Sequence, residues 1–497
     1  MKISSHIKTN LEHVKNSMSI PLSADAILRE FAIIFNERKY KAFLIYYEGM
    51  VTSTRIDDYI MQSLHLIPPK GNDDLKTTIA EQLLSSNQLK IAESFEDVFN
   101  MVNYGGCAVF VDSVSCAFLL DVKGWERRGV SDPVSENVIR GAQEGFTGTI
   151  RINTGMIRRL VRQEKLVCEG FQLGNKSKTP CNLMYIKELA DNKTVTEIRR
   201  RINAIDTDVI TDSGELEQLI EDFSFFPSPQ IIATERPDRT ASALMEGKIA
   251  VVLDGTPFVL ILPINAFELI HTPEDKALRF PYANLVRIMR IISLFISLLL
   301  PAVFVAMCNF HQESIPVHLL FAISASRRSV PFTLMTELIL FEAAFEIIRE
   351  ASIRIPSSAG NAMGIIGGLI IGQAAIEANI VSPIVIIIVA LTGVCSFTIP
   401  NYSLTFAYRI IKYIYIVLGA TCGFLGITLG MIIHLVTLCN LQSFGVPFLA
   451  PFSDSTQNTY GRLFVKPIWQ RYSFKNPRKW AKSTNSTKTP IKKTQIE

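Results

Sequence analysis

Apolar positions are spread unevenly along this chain of 497 residues. Residues 1–280 alternate short apolar runs with polar ones, whereas residues 288–440 are mostly apolar. In the front half, YKAFLIYYEGMV (40–51) predicts a buried strand and STRIDDYIMQSLH a helix behind it. QLKIAES predicts a short strand and FEDVFNMVNY a helix. CAVFVD and SCAFLLDV predict a hairpin across Ser113 and Val114. Together these form an expected α/β subdomain over 39–130, preceded by a polar, loosely held arm at 1–38. A second α/β subdomain is expected over 131–280. In it CEGFQLG and CNLMYIKEL read as strands, TVTEIRRRINAI and GELEQLIEDF as helices, and Asp254-Gly255 as the turn of a hairpin.

Residues 281–445 predict a helical membrane domain. IISLFISLLLPAVFVAMCNF (291–310) has no charge, and its twenty residues would rise about 30 Å, enough to cross a bilayer. Further spans are expected at 361–376, 384–400 and 414–438. VHLLFAISA (317–325) is too short to cross and reads as interfacial or re-entrant. The fold class expected is therefore an α/β cytoplasmic N-terminal region of two subdomains plus an α-helical polytopic membrane domain. Four spans are clear, and six result if 317–325 and 334–353 both cross. The segment 446–497 is a basic tail with a Ser/Thr/Lys-rich end, which the positive-inside rule puts in the cytoplasm. The polar start MKISSHIKTNLEHVKN carries no secretory signal pattern, so the front half is expected on the same side.

Two patterns inside the apolar half carry candidate chemistry. TELILFEAAFEIIREASI (336–353) is an apolar helix containing Glu337, Glu342, Glu346 and Glu350, the last three stepping by four along one face. Its roughly nine large apolar residues gain about 4–5 kcal/mol on insertion, while Glu342 and Glu346 alone cost ~6 kcal/mol. The helix should not sit alone in lipid. It either lies along the interface or faces protein or water. Beyond it, Gly360, Gly364, Gly368 and Gly372 recur every four residues, a groove for close helix packing. The last span repeats that device with Gly419, Gly423, Gly426 and Gly430, and His434 inside it reads as a packing residue.

Charge and motif content narrow the function classes. A net charge of +4 gives no reason to expect nucleic acid as a partner. The eight cysteines include no CxxC pair and the seven histidines no HExxH, so buried free thiols, and neither metal nor disulfides, are expected. No phosphate-binding, dinucleotide or GxSxG motif is present, no cofactor is expected, and no nucleophile–base pair points to an enzyme. The arginines Arg140, Arg151, Arg158, Arg159 and Arg162 read as a solvated, salt-bridged linker and helix. Glu235, Arg236, Pro237, Asp238 and Arg239 read as helix-capping and subdomain-docking residues.

Five stretches carry a family resemblance: SENVIRGAQEGFTGTIRIN, TERPDRTASALMEGKIAVVLDGTPFVLILP, FEIIREASIRIP, GIIGGLIIGQAAIEANIVSP and LQSFGVPFLAPF. In this order they resemble motifs of the GerA-type spore germination receptor A subunits, from about residue 25 to 455. FFPSPQIIATERPD departs from the family, which more often has a shorter lead-in. The resemblance implies a spore inner-membrane protein that works with a transporter-like B subunit and a lipoprotein C subunit. It also implies self-assembly into a ring whose membrane part forms a nutrient-gated ion channel. On the residues alone, a non-conducting signalling scaffold is the main alternative. A secondary transporter is weaker for want of an inverted repeat.

Overall fold

The computed structural model describes residues 2–36, 38–65, 75–83, 89–122, 124, 133, 136, 138, 140–354, 371–450 and 464–465. Two five-stranded antiparallel sheets make up the front half. The first holds β1 (Ala26–Phe35), β2 (Arg38–Tyr47), β3 (Leu89–Ala92), β4 (Cys107–Val111) and β5 (Ala117–Leu120), in the order β1-β2-β4-β5-β3. The second holds β6 (Leu166–Leu173), β7 (Thr179–Ile186), β8 (Ile232–Thr234), β9 (Ile249–Leu253) and β10 (Val259–Leu262), in the order β6-β7-β9-β10-β8. Taken in chain order within each sheet, both follow the same path.

Strands β4, β5, β9 and β10 are apolar throughout because both faces of each sheet are covered there. In the first sheet Val109, Val111, Phe118 and Leu120 join a core with the helical turns between Ser53 and Leu83. Their neighbours Ala108, Phe110, Ala117 and Leu119 face α1 (Ile7–Ser17) and α2 (Phe95–Val102). In the second, Val251 and Leu253 face α4 (Asn192–Asn203) and α5 (Ser213–Ile220). Ala250 and Val252 face α3 (Ile150–Leu160) and α6 (Pro237–Met245) on the other side.

The polar start of the chain is not an arm. Ile3, Ile7, Val14 and Met18 are buried on one side of α1, and β1 is the edge strand of the first sheet, in full register with β2 from Ala26–Tyr47 to Phe35–Arg38. A few apolar residues on one face suffice to dock a helix whose other faces stay polar, and average composition hides them. The arginine-rich stretch is likewise not solvated throughout. Arg158 is buried and donates to both carboxylate oxygens of Asp25, with its guanidinium 3.7 Å from the centre of the Tyr47 ring. That pair fastens the lead-in of β1 to the second sheet, helped by Ala24 N–H donating to the Cys168 carbonyl at 2.7 Å.

Helices dominate from Phe280 onward: α7 (Phe280–Phe310), α8 (Val317–Arg327), α9 (Leu334–Arg354), α10 (Pro383–Phe397) and α11 (Tyr402–Asn440). Two of them, α7 and α11, are long and apolar enough to cross a membrane by length and composition. The stretch expected as one span at 414–438 is bent. Gly423 has φ 60° and ψ −143°, and the chain doubles back there. The His434 ring lies 5.7 Å from that of Tyr408 and 6.4 Å from that of Tyr415. A straight helix would hold His434 and Tyr408 about 39 Å apart. α11 is thus a hairpin of two arms, 402–422 and 424–440. Glycine is required at the bend, because φ lies in the left-handed region and a Cβ would meet Phe310 at 3.2 Å.

The hairpin returns the chain to the second sheet. Ser443 Oγ donates to the Gln230 carbonyl at 2.7 Å, and Phe448 is buried beside Ile232 and Ile261. The tail expected from 446 therefore begins as packed structure, a short pair of strands β11 (Gln442–Ser443) and β12 (Val446–Pro447) with Phe448 beyond it. Asp275, fully buried, receives Arg287 at 2.8 Å and Arg290 at 2.9 Å and ties the base of α7 to the same sheet.

Candidate functional site: a belt of ionisable groups inside the helical bundle

α9 packs against α10 and the first arm of α11, and its acids leave the bundle by degrees. Four residues turn a helix by about 400°, so each step of four drifts roughly 40° around the axis. Glu342 is fully buried, Glu346 is half-buried and Glu350 is exposed. The three share one stripe, as the spacing predicts, but only its upper end points inward.

Each inward acid meets a partner from another element. Glu337, fully buried, accepts from the backbone N–H of Ser382 at 2.6 Å and from its hydroxyl, with Arg327 at 3.4 Å. Glu342 accepts from Lys412 Nζ and, at 3.2 Å, from Thr392 Oγ1. Glu346 pairs with Arg349 at 3.2 Å and with Arg409 at 3.5 Å. Arg349 sits between the rings of Phe345 and Phe397, 5.1 Å from each centre, and Arg409 lies over Phe406. Among the described residues, the Nε and Nη1 of Arg349 and the Nε of Arg409 are buried without a hydrogen-bond partner.

Two hollows adjoin the belt. A cleft of about 500 Å³ is lined by Glu346, Ile347, Arg349, Glu350, Phe406 and Arg409. A second, inner space of about 10 Å³ is bounded by Ser297, Thr392, Ser396, Thr405, Tyr408 and Lys412, with Arg409 shared between the two. The inner one has the size and the polar lining for about one water molecule. Polar groups thus follow one another from Glu342 to the mouth at Glu350.

The expected glycine groove is mostly outside the described residues, which exclude Gly360, Gly364 and Gly368. At Gly372 an added Cβ would meet nothing within 4 Å among the described residues. The close approach falls in the other glycine set: a Cβ on Gly419 would stand 2.6 Å from the Ala302 carbonyl oxygen, so α7 and the first arm of α11 touch through backbone there. The 235–239 motif is built into the second sheet. Pro237 opens α6, Arg236 is buried and donates to the Glu136 and Ala142 carbonyls and to Asp238, and Arg239 pairs with Glu136. The Glu235 carbonyl accepts from Phe146 at 2.7 Å. These residues bind Glu136, Ala142 and Phe146 to the sheet and lie away from the belt. Among the described residues no cluster of three or more His, Cys, Asp or Glu is placed to hold a metal ion.

Lys412 and Arg409 are the members of the belt that the sequence reading passed over. They stand in the first three turns of an apolar helix and read there as flanking charges. Asking what neutralises three acids in an apolar stretch would have found them, since a buried charge needs a partner.

The chain thus combines a two-sheet α/β head with an apolar helical bundle that holds ionisable groups inside it, and two of its helices are long and apolar enough to cross a membrane. Residues 12–478 match the family model described as Bacillus/Clostridium GerA spore germination protein, and the chain belongs to this family. Spore germination protein KA of Bacillus subtilis (strain 168) is 38% identical over 468 residues, covering 94% of this chain and 86% of that one. Spore germination protein A1 of the same organism is 33% identical over 448 residues, covering 90% and 91%. GerLA of Bacillus cereus is 31% identical over 456 residues, 92% of each chain. The crystal structure of the N-terminal domain of the A subunit of the Bacillus megaterium spore germinant receptor GerK3 is 32% identical. It covers 53% of this chain and 96% of that one, with a TM-score of 0.42. The family places the chain in spore germination.

Proposed function

We propose that this chain is the A subunit of a nutrient germinant receptor in the spore inner membrane, and that its helical bundle gates a cation path. The head and the tail lie on the cytoplasmic side. Copies of the chain assemble with one another and with a transporter-like B subunit and a lipoprotein C subunit, and membrane lipid surrounds the bundle. The observation that carries this reading is the Glu342–Lys412 pair, fully inside an apolar bundle, with Lys412 on a small hollow that shares Arg409 with the cleft at Glu346 and Glu350. Ionisable groups are costly in lipid and are kept where they bind, relay or gate charge.

Six passages fit the chain better than four. α8, at about 16 Å, is too short to cross. The passages are α7, α9, α10 and the two arms of α11, together with the span that the sequence leads one to expect at 361–376, which leaves head and tail on one side.

Glu342→Gln, Glu346→Gln and Glu350→Gln should each slow nutrient-triggered ion release from spores while the receptor still assembles. Unchanged release in all three sinks the gating role. A second reading, a non-conducting signalling scaffold, draws support from the pairing itself: Lys412, Arg349 and Arg409 neutralise Glu342 and Glu346. Reconstituted protein that conducts no ions, alone or with its partner subunits, would favour it.

A further inference from the structure

The loop from Asp222 to Gln230, between α5 and β8, exposes two phenylalanines in a braced turn. Gln230 is fully buried. Its Oε1 accepts from the backbone N–H of Asp222 and of Phe223, both at 3.1 Å, and its amide donates to the Phe223 carbonyl at 2.7 Å. Phe226 N–H closes the turn onto the Phe223 carbonyl at 3.3 Å. Asp222 is held in turn by Arg201 and by the backbone N–H of Phe444 at 2.6 Å. At the tip of this support Phe225 is 97% exposed and Phe223 62%.

The loop's position says what covers them. Phe226 turns inward, its ring centre 6.3 Å from that of His434 on the second arm of α11. His434 lies six residues before Asn440, about 9 Å up the arm from its head-facing end. The loop therefore rises alongside the arm instead of stopping below it. At the same level the arm exposes Ile433, Leu435 and Val436. An apolar tip held rigidly beside an apolar helix surface is suited to the boundary between headgroups and acyl chains, where aromatic side chains anchor proteins.

We propose that Phe223 and Phe225 insert into the lipid headgroup–acyl boundary on the side of the head, and so set the height of the second sheet against the bilayer. The proposal rests on the reading of α11 as membrane-embedded. Tryptophan depth quenching separates the two ideas. Phe225→Trp and Leu435→Trp are made singly in the full chain, reconstituted in phosphatidylglycerol/phosphatidylcholine vesicles. Emission above that of the parent chain is followed with lipids brominated near the headgroup or deep in the acyl chain.

Phe225→Trp should lose emission to the shallow bromines at least as strongly as to the deep ones. Quenching of Leu435→Trp alone would overturn the proposal and leave the membrane reading intact. A Phe225→Trp signal that is blue-shifted yet unquenched would also overturn it, by showing that a second copy or another protein covers the tip. If neither tryptophan is quenched, the membrane reading of α11 fails and the proposal with it.

Discussion

The head and the bundle each bury a cation against a carboxylate, and they satisfy it differently. Where the two sheets of the head meet, Arg158 gives two hydrogen bonds to Asp25 and lays its plane on Tyr47. In the bundle the Glu342–Lys412 pair is followed by two arginines that keep buried N–H groups without acceptors. An unmet buried donor costs about 1–3 kcal/mol, so a rearrangement that supplied acceptors to Arg349 and Arg409 would be favoured. The head joint is a fastening. Among the described residues the head joint leaves the Tyr47 hydroxyl unmet, against three guanidinium nitrogens in the belt, and an exchange of partners in the belt is what the proposed gating requires.

Double substitution is the strongest way to break this comparison. Arg158→Met and Lys412→Met should each destabilise by about 3–5 kcal/mol, because each leaves a carboxylate buried without its charge partner. Removing the second charge as well should separate the two sites. Glu342→Gln with Lys412→Met should regain most of the loss, since the pair is surrounded by apolar helix. Asp25→Asn with Arg158→Met should regain less, since the stacking on Tyr47 is lost too. Thermal unfolding of the four single and two double variants in one detergent checks this, and equal recovery at both sites would erase the distinction.

A smaller effect tests where close helix contact occurs. Gly419→Leu should cost about 1–3 kcal/mol by forcing α7 and α11 apart. Gly372→Leu should leave the stability of the isolated chain nearly unchanged, because its Cβ direction is open. If Gly372→Leu also blocks assembly of the receptor, the groove belongs to contacts between subunits. Blue-native electrophoresis beside the melting curves reads both.

Much of the architecture was legible because strands and apolar helices announce themselves by period. The Ser113-Val114 and Asp254-Gly255 hairpins fall between β4 and β5 and between β9 and β10, as the turn residues require. The acids of α9 were legible as misfits in lipid, and Glu337 and Glu342 do face protein. What stayed hidden depends on distance along the chain. Lys412 lies 70 residues beyond Glu342 and Arg158 lies 133 beyond Asp25, and no local pattern reports such a pairing. The bend at Gly423 was hidden for a different reason. A glycine every few residues signals close packing and says nothing of which one reverses the chain.

The smallest expected effect concerns the joint between the regions. His271 stands beside Asp275, Arg287 and Arg290 at the base of α7. Burial, reinforced by the positive charge of Arg287, pulls its pKa down to about 3. The folded state thus refuses a proton that the unfolded state takes up near pH 6.5. Stability is fully present above that pH, falls as pH drops below it, and continues to fall until the folded pKa is reached. At pH 6 the loss should be about 1 kcal/mol relative to pH 8. His271→Gln should remove that part of the slope while keeping the polar contacts of a neutral imidazole. In contrast, Lys412→Met should lower stability and leave this part of the slope unchanged, because the pair in the bundle is remote from His271. Melting temperatures of the three proteins between pH 5.5 and 8 measure it, and an unchanged slope in His271→Gln would show that the joint admits the proton after all.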